Sequence, residues 1–188
     1  MTGRFSRPRL VLGIGILAAA GIIAFLLLRG GDDSAGDGRE PGSKVHATGR
    51  PEAATLDQLR DLGSAVGHPV YWAGQQPGRH YELTVDPDGK VYLRYLAEGV
   101  PVGSRRVSSL TIGTYPYIDA FGALQAAARR SGGITDRTPD DGLVVTFPTS
   151  PNNVYVAFRG TDYEIEVYDP NAGRALELAT AGEIAPLR

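Results

Sequence analysis

The sequence predicts an α+β domain behind a membrane anchor: a mostly antiparallel sheet of five to seven strands with two helices on one face, preceded by one transmembrane helix and a flexible linker. Three observations predict this arrangement. A long apolar run lies near the N-terminus, later segments repeat apolar residues every three or four positions, and several short segments alternate apolar with polar residues. The first observation indicates the membrane segment, and the other two indicate the domain.

The apolar run covers residues 10–28, which are 19 residues without a charged side chain. As a helix it would be about 28 Å long, close to the thickness of the hydrocarbon core of a bilayer. Residues 1–9 carry three arginines and no acid, whereas three aspartates lie within residues 32–37. Because basic residues stay on the cytoplasmic side, we expect a cytoplasmic tail over 1–9, a helix through the plasma membrane over 10–28, and a domain outside the cytoplasm.

A cleaved secretion signal is the alternative interpretation of this run. Such a signal has a shorter apolar region, of about 7–15 residues, followed by small residues at the cleavage site. Here the alanines at positions 18–20 lie inside the run, and Leu28 and Arg29 follow at its end. The pattern therefore favours a permanent anchor.

The remaining chain divides into a linker and one domain. Residues 29–50 are rich in glycine and charge and nearly free of apolar side chains, which is typical of a flexible linker. Residues 51–188 are long enough for one domain, and their 12 basic and 17 acidic side chains give a net charge of −5, which disfavours nucleic-acid binding. The absence of cysteine excludes disulfides, thiolate metal ligands and cysteine nucleophiles.

The first half of the domain is predicted to begin with a helix over residues 55–66. Thr55 and Gln58 have the spacing of a capping box, and leucines recur every three positions behind them. An Asp-Pro-Asp-Gly turn at residues 86–89 joins the two clearest strands into a hairpin. The strands expected in this half cover residues 70–73, 81–85, 91–96 and 110–114.

The second half is also predicted to begin with a helix, over residues 118–130, with Arg129 and Arg130 at its negative C-terminal end. Asp169 as an N-cap and Pro170 in the first turn predict a short third helix over residues 171–181. The strands expected between them cover residues 143–147, 154–158 and 163–168.

An internal α-β-β duplication is a further hypothesis. The apolar positions of the first helix recur 62 residues later, from 56 to 118, and residues 91–93 resemble residues 154–156, 63 positions on. The alternative is a chance match between segments of similar composition.

No motif in the sequence predicts a catalytic, cofactor-binding or metal-binding residue. His46, His68 and His80 lack a second ligand at metal-binding spacing, and no nucleotide-binding, zinc-peptidase or serine-hydrolase motif is present. Asp86 and Asp88 resemble the start of a calcium loop, but the closing glutamate is missing and a hairpin turn explains them better.

Aromatic residues lie near the predicted strands. Aromatic side chains favour strands for packing alone, but tyrosine and tryptophan are also enriched at binding interfaces. The sequence therefore predicts a possible interaction surface made of Tyr71, Trp72, Tyr92, Tyr115, Tyr117 and Tyr155.

Five segments carry a resemblance to other proteins: HPVYWAG at 68–74, YELT at 81–84, VYLRYL at 91–96, LTIGTYP at 110–116 and YDP at 168–170. Together they resemble a group of uncharacterised, membrane-anchored proteins of high-GC Gram-positive bacteria. The resemblance implies a bacterial, membrane-tethered protein, and it implies no activity and no functional residue.

The sequence favours a binding module over an enzyme. A tether joined to an acidic domain without catalytic motifs is typical of recognition, with the bilayer contacted through residues 10–28 and a membrane or cell-envelope protein as the expected partner. The alternative is a cell-envelope hydrolase that uses paired carboxylates, for which the domain has many aspartates and glutamates.

Overall fold

The computed structural model describes residues 47–188. The predicted tail over 1–9, the predicted transmembrane helix over 10–28 and the linker as far as residue 46 lie outside the described residues. Among residues 47–188, no helix has the length and apolar character needed to cross a bilayer.

The structure contains the three predicted helices and more strands than the sequence indicated. The helices are α1 (Leu56–Val66), α2 (Ala120–Ser131) and α3 (Ala172–Thr180). The strands are β1 (Glu52–Ala54), β2 (Tyr71–Trp72), β3 (Arg79–Val85), β4 (Val91–Ala97), β5 (Thr111–Pro116), β6 (Ile134–Arg137), β7 (Leu143–Phe147), β8 (Ser150–Ala157), β9 (Tyr163–Tyr168) and β10 (Ala185–Pro186).

Eight of the strands form one sheet in the order β1-β3-β4-β5-β9-β8-β7-β6, and β2 pairs with β10 in a separate ribbon. Every neighbouring pair is antiparallel, which confirms the predicted α+β class with a large antiparallel sheet. The predicted number of five to seven strands was too low. The sequence missed β1 and β6 because both are short edge strands with little apolar content, so neither shows an alternating pattern.

The helices lie on both faces of the sheet. Helices α1 and α3 pack on one face, through Leu62 and Leu178 among others, and we call it the α1/α3 face. Helix α2 packs Phe121 and Leu124 on the opposite face, the α2 face, where they meet Val145 of β7. The sequence placed two helices on one face of the sheet, whereas the structure divides three helices between the two faces. The reason is that β7 and β8 carry apolar residues on both faces, so each face of these strands needs a cover.

Side chains cap the N-termini of α1 and α2. Thr55 and Gln58 form the predicted capping box at the start of α1. Asp119 caps α2 by accepting a hydrogen bond from the N–H of Gly122. Helix α3 differs from the prediction, because its N-cap is Asn171, whose N–H donates to the Asp169 carboxylate at 2.8 Å. Asp169 therefore orders the turn before the helix rather than capping the helix itself.

The two halves of the domain share an arrangement of strands but not of helices. In chain order, strands β3, β4 and β5 run inward to the central β5–β9 pair, and strands β7, β8 and β9 run inward to it from the other side. Residues 91–93 and 154–156 occupy matching positions, with Tyr92 and Tyr155 both on the α2 face. Helices α1 and α2 lie on opposite faces, so the two-fold arrangement does not extend to them.

Candidate functional site

The six aromatic residues of the predicted surface do not lie together on the outside of the domain. Four of them are buried, namely Tyr71, Tyr92, Tyr115 and Tyr155. Trp72 is half-buried, and Tyr117 is 40% exposed. Tyr71 also lies on the α1/α3 face, whereas Tyr115 and Tyr155 lie on the α2 face. The aromatic side chains therefore mainly fill the space on either side of the sheet, which is the packing role that aromatic residues commonly have in strands.

Glu166 is the centre of a buried polar network on the α2 face. Its carboxylate accepts hydrogen bonds from the Tyr115 hydroxyl at 2.7 Å, from the Tyr155 hydroxyl at 3.2 Å, and from the side-chain amide of Asn153. Gly113 stands directly across from Glu166, and a Cβ at this glycine would lie 2.3 Å from the Tyr115 hydroxyl oxygen. Because position 113 has no side chain, the Tyr115 side chain can extend over this position and reach the Glu166 carboxylate on the neighbouring strand β9.

Burial, reinforced by the negative charge of Glu166, raises the pKa values of Tyr115 and Tyr155 above their ordinary value of 10.0. Both phenols therefore remain protonated at neutral pH and act as hydrogen-bond donors. Glu166 is the acceptor that both require.

Glu164 lies two residues along β9 on the same face and is only 4% exposed. Burial first, and then the charge of Glu166, raise the pKa of its carboxyl group to about 8. At neutral pH Glu164 is therefore mostly protonated, and it lies beside Glu166, whose side chain accepts three hydrogen bonds. Glu164 and Glu166 alternate with Ile165 and Val167 along β9, so they lie on the face opposite to these two apolar residues. They are buried because this face of the central strands is covered as well.

A second buried polar group holds a loop against the sheet. The Arg94 guanidinium contacts the Glu82 carboxylate at 2.9 Å, and both side chains are 1% exposed. Arg94 also donates to the backbone oxygens of Ser104 and Arg106, each at 2.8 Å, and the Gly103 N–H donates to Glu82 at 2.7 Å. We call residues 98–109 the anchored loop. Because its backbone groups point to the sheet, several of its side chains point outward, including those of Val102, Arg105 and Val107.

A groove of about 550 Å³ runs between α2 and the edge strand β6. Its walls are formed by Gln125, Ala128 and Arg129 of α2 and by Gly133, Thr135, Asp136 and Arg137 at β6, with Leu143 also lining it. All four residues of β6 are exposed, so no part of the chain within residues 47–188 covers this strand. The groove is therefore open both to solvent and to the free edge of the sheet.

Two arginines and one aspartate, Asp136, contribute the charges that line the groove. Arg129 lies in the last turn of α2, as the sequence predicted; it is exposed, and no carboxylate of the described residues lies within ion-pair distance of it. Arg137 contacts the Asp141 carboxylate at 3.4 Å, donates to the Asp141 backbone oxygen at 3.1 Å, and has 44% of its side chain exposed. The unpaired guanidinium of Arg129 is therefore available to an anionic ligand, whereas the charge of Arg137 is shared with Asp141.

A smaller cleft of about 190 Å³ lies where β9 leads into α3. Arg79, Asp169 and Arg174 line it, and Arg174 already contacts Asp169 at 3.7 Å. Part of its positive charge is thus neutralised within the domain.

His68, His80 and the acidic turn at residues 86–89 make contacts within the fold. His68 contacts the carbonyl oxygens of Pro69 at 2.8 Å and Gly89 at 2.9 Å, and His80 contacts that of Val100 at 3.0 Å. The 86–89 turn forms the predicted β3–β4 hairpin, in which Asp88 pairs with Lys90. Residues 47–188 contain no group of three histidine, aspartate or glutamate side chains arranged to hold a metal ion. His46 lies outside the described residues.

Comparison of the chain with protein-family models, with curated proteins and with solved structures finds no match. The groove, the anchored loop and the buried carboxylates are therefore the structural features that bear on the function of the protein.

Replacing Arg94 with methionine should lower the free energy of unfolding by about 3–5 kcal/mol, because it leaves the Glu82 carboxylate buried without its partner. The Arg94→Met, Glu82→Leu double variant should recover a large part of this loss. The matched control is Arg60→Met, which breaks the exposed Asp57 pair and should cost less than about 1 kcal/mol. Urea unfolding measures all three, and equal losses in Arg94→Met and Arg60→Met would contradict the anchoring role.

Replacing Glu164 with glutamine should change how stability depends on pH. The folded state keeps a proton on Glu164 up to about pH 8, whereas the unfolded chain releases it near the ordinary pKa of 4.5. Between these values the folded state binds more protons, so this group lowers the free energy of unfolding as pH rises. Glu164→Gln removes the effect and should be more stable than the parent by roughly 2–4 kcal/mol at pH 9. The exposed Glu177→Gln is the control, and urea unfolding at pH 5 and pH 9 is the measurement. A parent protein whose stability does not fall over this range would refute the assignment.

Proposed function

We propose that this protein is a binding module that a helix over residues 10–28 holds at the outer side of the plasma membrane, with its N-terminus in the cytoplasm. The uncharged run of 19 residues and the charges on its two sides support the anchor and its orientation. The partner is a protein of the membrane or the cell envelope.

The groove between α2 and β6 is the binding surface in this proposal. The observation that carries it is the exposure of all four β6 side chains beside an open groove. Sheet edges in proteins are usually covered or blunted, because their free backbone groups pair readily with other chains. An uncovered edge that is flanked by a helix offers both backbone hydrogen bonds and side-chain contacts to a partner.

A hydrolase that uses Glu164 and Glu166 is the second candidate. The pair supports it, because a carboxyl group whose pKa burial raises to about 8, beside a second carboxyl group, resembles the acid and base of many hydrolases. Burial weakens it, because Glu164 is 4% and Glu166 0% exposed and neither lines the groove or the smaller cleft. A substrate would have to displace the elements that cover this face.

Crosslinking in cells tests the binding module. The tagged full-length chain is compared with a chain in which a cleavable secretion signal replaces residues 10–28, and crosslinked complexes are purified and identified by mass spectrometry. We expect one specific partner that is recovered with the full-length chain and is reduced or lost with the untethered chain. Recovery of the protein alone, or only with itself, would contradict the proposal.

An activity assay separates the second candidate from the first. Purified full-length protein is incubated with cell-envelope glycans and peptides, and the release of fragments is measured for the parent, Glu164→Gln and Glu166→Gln. The binding module predicts no turnover by any of the three. Turnover by the parent that both variants lose would instead establish the hydrolase.

A further inference from the structure

We infer that the groove between α2 and β6 binds an extended, acidic segment of a partner protein, which adds to β6 as a further strand of the sheet. This inference rests on the proposed binding function and names the chemistry of its partner. Three features of the groove carry it: the direction of the β6 backbone groups, the placement of the arginines, and the repulsion that other occupants would meet.

The hairpin between β6 and β7 determines which backbone groups of β6 are free. The Thr138 N–H donates to the Gly142 carbonyl at 3.0 Å, and the Asp141 N–H donates to the Thr138 carbonyl at 3.1 Å. Asp141 has φ 60° in this turn. Backbone groups of an antiparallel strand alternate between its two sides, so those of Ile134 and Asp136 point to β7 and those of Thr135 and Arg137 point outward.

One of the outward N–H groups is already occupied. The Arg137 N–H donates to the Asp136 carboxylate at 2.8 Å, which blunts the end of the strand. The N–H and carbonyl of Thr135 remain available for a hydrogen-bonded pair with an added strand. The Arg137 carbonyl offers a further acceptor. Thr135 is therefore the position at which a partner strand would pair.

The side chains beside this pairing point select for negative charge. Thr135 and Arg137 lie across from Val145 and Leu143, so they are on the α2 face, where Arg129 forms the other wall of the groove. A strand added at β6 places every second side chain on this same face. Carboxylates at those positions would meet the unpaired guanidinium of Arg129 and the Arg137 guanidinium that Asp141 already contacts, and guanidinium groups bind carboxylates with strong charge-assisted hydrogen bonds.

The same charges disfavour two other occupants. A basic segment would meet Arg129 and Arg137 in the groove and be repelled. A second copy of this chain, paired through its own β6, would bring a second pair of arginines onto the same face. The acidic strand is the occupant that satisfies both the backbone and the charge of the groove.

Fluorescence anisotropy with a defined peptide tests the inference on the full-length chain in detergent. The probe is a labelled eight-residue peptide that alternates glutamate with threonine, compared with the same peptide carrying lysine for glutamate and with one N-methylated at alternate backbone nitrogens. We expect the acidic peptide to bind, and binding to weaken with rising salt. The lysine peptide should not bind, and N-methylation, which removes backbone donors, should weaken binding by about tenfold or more.

Replacement of Arg129 with glutamine should weaken binding of the acidic peptide by about tenfold, since it removes one charged contact. Arg129 is exposed, so the variant should fold, and circular dichroism checks this. Arg105→Gln is the matched control, because it removes the same charge from the anchored loop, away from the groove, and should leave binding unchanged.

The other outcomes overturn the inference in distinguishable ways. Undiminished binding after N-methylation would mean that the peptide docks by charge without adding as a strand. Failure of the acidic peptide to bind, while crosslinking in cells still recovers a specific partner, would overturn the acidic strand and leave the binding function standing. If the acidic peptide does not bind and crosslinking recovers no specific partner, the acidic strand and the binding function would be overturned together. Self-association that Arg129→Gln alters in sedimentation would identify a second copy as the occupant.

Discussion

The central strands of this domain are buried on both faces, and the rest of the structure depends on that constraint. One face is filled by apolar side chains under α1 and α3, whereas the α2 face carries charged and hydroxyl groups that are equally hidden. Buried charge without a partner would cost several kcal/mol. Arg94 is therefore paired with Glu82, and Glu166 accepts hydrogen bonds from two tyrosines and Asn153, whereas burial keeps Glu164 mostly protonated at neutral pH.

The buried Arg94–Glu82 pair also determines how part of the surface is arranged. The Arg94–Glu82 pair holds the backbone of the anchored loop and thereby covers one part of the α2 face. Helix α2 covers the part above β7 and β8 and ends beside β6. The edge strand itself receives no cover from the described residues, and the groove is the space left between them.

The sequence predicted the fold class and all three helices, because capping residues and three-to-four-residue periodicity are local signals. It missed β6, whose residues Ile-Thr-Asp-Arg show no alternation, and with it the groove. It gave no sign that Glu164 is buried, since alternation separates the two faces of a strand but does not show whether the second face is covered. Arg129 was placed correctly at the end of α2, but its role as a wall of the groove depends on a strand that pairs only in the folded sheet.

The proposed recognition of a partner at the edge formed by β6 and α2 can be tested by photocrosslinking in cells. A benzophenone amino acid is placed in the full-length chain at Thr135 of β6 or, as the control, at Arg105 of the anchored loop. We expect a covalent adduct with the partner from position 135 and none from position 105. An adduct from position 105 alone would contradict it and would move the recognition site to the anchored loop.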